Sequence, residues 1–378
     1  MYYDARTMSE AVRTLMRASL EADREVPAGA DAGFLWDFWY PALRSDAVRG
    51  NALVTAMLLE VPLVLGRARD GQAFAMRDSC PHRGIPLSHG RFDGKTVECS
   101  YHGWRFDACS GQCVEIPSLT NQDKLKVDRV FAGHYPCEER DGYFWVWMNA
   151  PGTRLPEGVP DAPKLATFSK KYKTTHLECE LPSHIDHGII GLMDPAHGPF
   201  VHASWFWRKR ASIHEKEKKF EPIPNGFRMS PHTPSSNSAP YRMLQKYTGE
   251  PVTTTIDFVL PNMRTEEIRS GKLWFSSRAT VTPVRRDLCR IDFVAAWNLL
   301  LPVWIFRMFA EKFLRQDQET MIQQAEGLKH NPRLMLIDDA DRPAKWYFGL
   351  KASLLESRRS GEPMRHPMDG PVTLHWRS

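Results

Sequence analysis

Two short loops constrain this chain more than any other feature. The first reads Cys80-Pro81-His82-Arg83-Gly84 and the second Cys99-Ser100-Tyr101-His102-Gly103-Trp104, with Ile85 to Glu98 between them. Each loop carries one Cys and one His. Two thiolates and two imidazoles hold either a tetrahedral zinc ion or a [2Fe–2S] pair with both His on one iron. The distribution bears on the choice, because a zinc finger usually puts two Cys in one loop and two His in the other. Pro81, Gly84 and Gly103 suit tight loops that bring main-chain N–H groups close to sulfur.

At these residues the chain resembles Rieske proteins, and more narrowly the Rieske non-haem iron oxygenases. The respiratory Rieske proteins carry an extra Cys in each loop, paired as a disulfide. The equivalent positions here are Ile85 and Tyr101. The resemblance implies a [2Fe–2S] cluster held by Cys80, His82, Cys99 and His102.

A second constellation follows in Asp194-Pro195-Ala196-His197-Gly198-Pro199-Phe200-Val201-His202. Two His five residues apart lie about one helical turn apart, so both rings can face one ion. Iron(II) that must also bind dioxygen needs open positions, which two His and one carboxylate leave. Read alone, His197 and His202 are equally well packing or surface histidines. The oxygenase pattern is Asp-x-x-His-x(4–5)-His followed, more than a hundred residues later, by an Asp on a helix. The resemblance therefore implies His197, His202 and Asp317 as iron ligands, with Glu319 the competitor for the third place. It also implies that Asp194 links the iron site to the cluster ligand His102 of a neighbouring subunit, as a carboxylate between two imidazoles. The stretch Gly188-Ile189-Ile190-Gly191-Leu192-Met193 is apolar where many family members have a polar pair. His184 and His187 flank Asp186 and read as pocket or proton-path residues, or as satisfied core histidines. Trp205-Phe206-Trp207 reads as a wall of the site or as ordinary packing.

Composition narrows the class. With 378 residues, 42% hydrophobic and 25% charged, the chain has the size for two domains and the balance of a globular protein. A formal net charge of +5 is spread along the chain without long Lys/Arg blocks, which argues against nucleic-acid binding. It leaves room for a basic face that docks an acidic electron donor. Five Cys beyond the loop pair (Cys109, Cys113, Cys137, Cys179, Cys289) are scattered, as free thiols in a reducing compartment are, and a cytoplasmic location is expected. Cys109-x-x-x-Cys113 lies in a turn and reads as two free thiols rather than a metal pair. No signal peptide is expected, and no transmembrane segment. The longest apolar run, Val294 to Phe306, is broken by Asn298 and Pro302 and is too short to span a bilayer.

The expected fold class is α+β. Met8, Val12, Leu15, Met16 and Leu20 predict an amphipathic helix over 5–24, and Gly29 and Gly33 a linker after it. Short alternating segments from 52 to 148 predict an all-β module. A Pro-rich connection follows, then a strand over 172–181, a hairpin over 220–230 around Pro224-Asn225-Gly226, and longer strands over 252–260, 265–269, 272–282 and 288–298. A helix is predicted over 304–328. The tail from Asp338 carries Trp346, Tyr347 and Phe348 and then turns polar and Pro-rich. The expected organisation is an N-terminal helix and linker (1–37), a Rieske domain (38–152) and a catalytic domain (153–378) with a curved, helix-grip-like antiparallel sheet. Gly94-Lys95-Thr96 lacks the upstream Gly of a phosphate loop, and no Gly-x-Gly-x-x-Gly is present. Electrons are therefore expected from NAD(P)H through a separate reductase or ferredoxin. The expected activity is hydroxylation or oxidative demethylation of a hydrophobic, ring-containing or lipid-like substrate with O2. Ring cis-dihydroxylation is the alternative, and a non-catalytic Rieske electron carrier the alternative from another class. By resemblance the chain forms a homotrimer. Ile305, Met308, Phe309 and Met193 are expected to shape an apolar pocket.

Overall fold

The strand Tyr143–Met148 (YFWVWM) is buried at every position and forms the centre of a three-stranded antiparallel sheet between Phe38–Arg44 and Cys137–Arg140. Its hairpin turn is Asp141-Gly142, both at positive φ (51° and 78°), the two-residue geometry that matches strand twist. The computed structural model describes residues 33–378 apart from 154, 156, 157, 170, 204–210, 212 and 235–238. The expected helix over 5–24 and Trp205-Phe206-Trp207 lie outside the described residues.

Two further antiparallel sheets accompany the first. One runs Val54–Leu58, Val61–Arg67, Ala73–Arg77, His134–Tyr135. The other runs Arg91–Phe92, Thr96–Glu98, Arg105–Asp107, Cys113–Glu115, and the two Cys/His loops flank it. Their shared core includes Val64, Phe74, Met76, Leu87, Val97 and Phe106, with Cys80 and Cys99 in the same cluster. The turn Leu59-Glu60 places two non-glycine residues at positive φ (52° and 64°). Tertiary contact holds it, since Leu59 N and Glu60 N donate to Pro283 O (2.9 Å) and Val284 O (3.0 Å) of the large sheet.

That large sheet has eight antiparallel strands, in the order Lys173–Leu181, Leu288–Trp297, Leu273–Arg285, Met263–Ser270, Thr253–Val259, Gly226–His232, Glu215–Ile223, Val372–Arg377. The hairpin expected around Pro224-Asn225-Gly226 is present, with Ile223 opposite Gly226 and Asn225 at φ 56°. Five α-helices are found among the described residues: α1 (Ile185–Met193), α2 (Gly198–Val201), α3 (Ala239–Thr248), α4 (Val303–Leu328) and α5 (Arg342–Ser360). α1 packs on two strands of the large sheet and on α5, while α4 packs on Lys173–Leu181 and touches α2. The architecture is α+β, as expected. The aromatics of the tail lie in α5, which buries Trp346, Tyr347, Leu350 and Lys351 at helical spacing and ends at Gly361 (φ 77°). The strand after it closes the sheet edge by pairing Val372 with Phe220.

Residues 36–378 form one unit, and charge as well as apolar packing joins the N-terminal sheets to the large one. Trp39, Tyr143, Trp145 and Trp147 pack with Val294 and Ala296. Arg278, its side chain 3% exposed, reaches Asp141 at 2.9 Å and lies over the Trp145 ring. Arg290 donates to Pro41 O and Ala42 O at 3.0 Å each and pairs with Asp292 at 2.7 Å. His176 Nε2 donates to Asp141 O at 2.8 Å. Removing one partner of such a buried pair leaves an uncompensated charge, so the junction is sensitive to substitution at these positions. No helix among the described residues is long and apolar enough to cross a membrane.

Candidate metal centres

The two Cys/His loops repeat one main-chain design. Cys80 N donates to Ile85 O (2.8 Å) and Gly84 N returns to Cys80 O (2.8 Å). Cys99 N donates to Trp104 O (2.8 Å) and Gly103 N returns to Cys99 O (3.0 Å). Both turns need a residue at positive φ, supplied by Gly84 (75°) and Gly103 (69°). The loops therefore face each other as near-copies. Cys80 and Cys99 are buried side by side, and the His82 and His102 rings lie 4.5 Å apart towards the surface. Trp104 stacks flat on His82 at 4.5 Å.

This pocket fits a [2Fe–2S] cluster on three counts. Burial pushes the Cys80 thiol up to about 11; the His82 and Arg83 amides pull it back, and Cys99 beside it pushes it further. A sulfur raised in this way needs a cation beside it to become a thiolate, and the two amides supply hydrogen bonds to Cys80 Sγ. His102 Nδ1 is buried with no hydrogen-bond partner among the described residues, as an iron-ligating nitrogen would be before iron is bound. Among the described residues the group whose ligand atoms converge within 4.8 Å is His197, His202 and Asp317, and the Cys/His loops are not in it. A single tetrahedral zinc would gather its four donors about as tightly, whereas two bridged irons spread them. All seven cysteines are free, Cys109 and Cys113 included.

The second site sits where α1, α2 and α4 meet. His197 and His202 bracket the single turn of α2, and Asp317 lies midway along α4. His197 Nδ1 donates to Asp194 O at 3.0 Å, and His202 Nδ1 donates to Gln316 Oε1 at 3.1 Å. With both Nδ1 atoms committed as donors, both Nε2 lone pairs are left to converge. The Nε2 atoms lie 3.1 Å apart, and Asp317 Oδ1 lies 3.1 Å from His202 Nε2 and 3.9 Å from His197 Nε2. Neighbouring ligands on bonds of about 2.1 Å at right angles sit about 3 Å apart, so two edges match and the third is wider. These three residues could hold one metal ion and leave positions open. Burial opposes protonation of His197, yet the Asp194 and Asp317 carboxylates outweigh it and raise its pKa. The pocket thus favours a cation. Phe313 stacks on His202 at 4.5 Å and shields it.

Asp194 caps the end of α1. Its Oδ1 accepts Ala196 N at 2.7 Å, and its Oδ2 lies 3.6 Å from His197 Nδ1. Glu319 is not in the converging group. His184 caps the start of α1 through Asp186 N (3.2 Å), while His187 lines the adjoining cavity. Asp186 is buried against Lys351 Nζ (2.7 Å) and the Tyr347 hydroxyl, which ties α1 to α5. The cavity has a volume of about 470 Å³ and reaches the trio. Met193 lines it as expected, but Ile305, Met308 and Phe309 do not. The first turns of α4 pack on the sheet instead, with Phe306 against Phe275, Phe293 and Trp297. α4 meets the cavity only from Phe313 onward, through Leu314, Thr320, Met321 and Gln324. Gln316 was not anticipated; its only sequence signal is a polar side chain next to a candidate ligand on a helix.

Residues 38–129 match the family model of the Rieske [2Fe-2S] domain. Over 194 residues the chain is 37% identical to chlorophyllide a oxygenase of Chlamydomonas reinhardtii, a match that spans 50% of this chain and 27% of that one. It is 34% identical over 181 residues to the 3-chlorobenzoate-3,4-dioxygenase oxygenase subunit of Comamonas testosteroni, spanning 47% and 40% of the two chains. The solved structure of NdmA from Pseudomonas putida CBB5 with caffeine superposes with a TM-score of 0.69 at 18% identity, covering 89% of this chain and 96% of that one. The chain carries a Rieske domain, and the relatives it matches include proteins named as oxygenases and an O-demethylase. The domain implies a [2Fe–2S] cluster. The matches span less than half the length of these two curated relatives, and the NdmA likeness speaks for the fold alone.

Proposed function

We propose that the protein is the terminal oxygenase component of a Rieske-type system. A separate NAD(P)H-dependent reductase or ferredoxin supplies electrons, and the chain hydroxylates or oxidatively demethylates a hydrophobic, ring-containing or lipid-like substrate. The observation that carries this reading is the convergence of His197, His202 and Asp317 on a cavity, in a chain that also carries a Rieske domain. A plain electron carrier has no use for that convergence. The ring compounds in the names of the two curated relatives support the substrate class, and the word subunit in one of them supports the need for partners.

In this reading residues 38–152 handle electrons and 153–378 perform the oxidation. Cys80, His82, Cys99 and His102 would hold the cluster, and His197, His202 and Asp317 the mononuclear iron. When bound, the cluster supplies electrons one at a time and the iron supplies activation of O2. The chain's own part is placement. Asp194 O and Gln316 Oε1 fix the two imidazole tautomers, and Phe313 with the apolar α1 wall keeps water from the reacting face. The Asp194 side chain is 32% exposed, which leaves it within reach of another subunit, as an electron bridge in a homotrimer requires. Seven free cysteines suit a reducing compartment such as the cytoplasm.

Iron quantitation on purified protein tests the reading. An oxygenase holds about three irons per chain and a carrier about two. His197→Ala should lose one iron and all turnover while keeping the cluster's visible and paramagnetic spectra. Substrate oxidation by that variant would show that the trio is not the reaction centre.

A further inference from the structure

The polar groups lining the cavity are mostly spent on the protein itself. Thr320 Oγ1 donates to Gln316 O at 3.0 Å. Arg264 holds Glu266 at 3.1 Å, and Asp341 Oδ2 accepts Ile337 N at 2.8 Å. Gln324 differs: it lines the cavity, and its Oε1 is buried with no hydrogen-bond partner among the described residues. A buried amide oxygen without a donor is costly, and proteins keep one where a ligand completes it.

Its place on α4 says which part of a ligand it would meet. Gln324 follows Asp317 by seven residues, two helical turns, so the two project from the same side of the helix about 10 Å apart along its axis. Met321 lies between them on that wall, and Ile190, Leu192 and Met193 supply apolar surface elsewhere in the cavity. A cavity of about 470 Å³ takes a ligand long enough to touch both.

We propose that Gln324 determines specificity: its side-chain carbonyl accepts a hydrogen bond from an O–H or N–H group at the far end of an otherwise apolar, ring-containing substrate, whose opposite end faces His197, His202 and Asp317. The oxygenase reading enters only in deciding which end reacts; binding and its polarity stand apart from it. Apolar pockets reject an added hydroxyl weakly, whereas a pocket with an unpaired acceptor discriminates against the analogue that lacks the donor.

The test uses the full-length protein with both iron sites loaded, held anaerobically, and compares the dissociation constants of 4-hydroxybiphenyl and biphenyl by equilibrium dialysis. Wild type should bind the hydroxylated probe roughly tenfold more tightly, the worth of one buried hydrogen bond. Gln324→Leu should bring that ratio to about one without weakening biphenyl, and Gln324→Glu, which still accepts, should keep it. If Gln324→Leu loses the cluster spectrum, Gln324→Met takes its place. A ratio near one in wild type, an unchanged ratio in the apolar variant, or failure of both probes to bind overturns the proposal. Admitting O2 and a reductant forms a separate arm: a preserved ratio with no oxygenated product counts against the oxygenase reading and leaves Gln324 in place, whereas product without the ratio does the reverse.

Discussion

Replacing Gln316 with Leu isolates one hydrogen bond from the rest of the iron site. The side chain stays close in bulk, one atom shorter, and α4 keeps its propensity, since Gln and Leu are both good helix formers. What disappears is the acceptor 3.1 Å from His202 Nδ1. The ring then loses the partner that fixes its tautomer, and Nε2 spends part of its time protonated, unable to ligate. Phe313 still stacks on the ring, so the position should persist while the tautomer does not. Removing such a partner from a metal-ligating His typically lowers metal affinity about 10- to 100-fold, or about 1.4–2.7 kcal/mol. We expect competition titration with an iron chelator to show a loss in that range for Gln316→Leu and near-recovery in Gln316→Glu. The cluster spectrum should be the same in all three proteins, because Gln316 touches neither Cys/His loop. Unchanged iron affinity in Gln316→Leu would refute the orienting role, and so would an equal loss in Gln316→Glu.

Three further outcomes follow from the same geometry. Asp194→Asn should keep both metals but slow the first electron transfer to the iron at least tenfold in single-turnover mixing; an unaltered rate removes the bridge. Arg278→Leu leaves the Asp141 carboxylate buried beside Trp145 without its cation and should cost about 3–5 kcal/mol in denaturant unfolding, while Arg278→Leu with Asp141→Asn should cost clearly less. An equal cost in the single and double variants would place the energy in packing rather than charge. His176 is neutral in the fold, because burial holds its pKa below the ordinary 6.5 despite the opposing hydrogen bond to Asp141 O; burial likewise lowers His134 and His232. The unfolded chain takes up these protons first. The stability they contribute is therefore complete above about pH 6.5 and falls as pH drops towards the depressed values. The thermal midpoint should fall less steeply below pH 6.5 in His176→Gln than in wild type, and parallel curves would exclude His176 as a contributor.

Local sequence carries a good part of this protein. Cys80-Pro81-His82-Arg83-Gly84 and its partner loop specify their own turns, because glycines at fixed places and ligands at fixed spacings are properties of a few adjacent residues. The strand Tyr143–Met148 and the helix Val303–Leu328 are equally legible, from apolar content and length. The bracketing of one helical turn by His197 and His202 is visible in the spacing alone. Asp317 is legible only through the family pattern, since nothing near it in the chain says that it faces His202 rather than solvent.

Other features were decided between elements far apart in the chain. The aromatic tail becomes α5 because Trp346 and Tyr347 find Phe220, Phe227 and Phe258 on the sheet, and the final strand forms because Glu215–Ile223 offers an open edge. Leu59 and Glu60 adopt positive φ because main-chain carbonyls more than two hundred residues away accept their amides. The pocket wall moves from Ile305, Met308 and Phe309 to Phe313 and beyond because Phe306 pins the start of α4 to the sheet, which sets where along the helix the cavity begins. Turns and ligand spacings are short-range chemistry and survive in the sequence; the choice of which helical face meets which wall is made by packing, which no window along the chain contains.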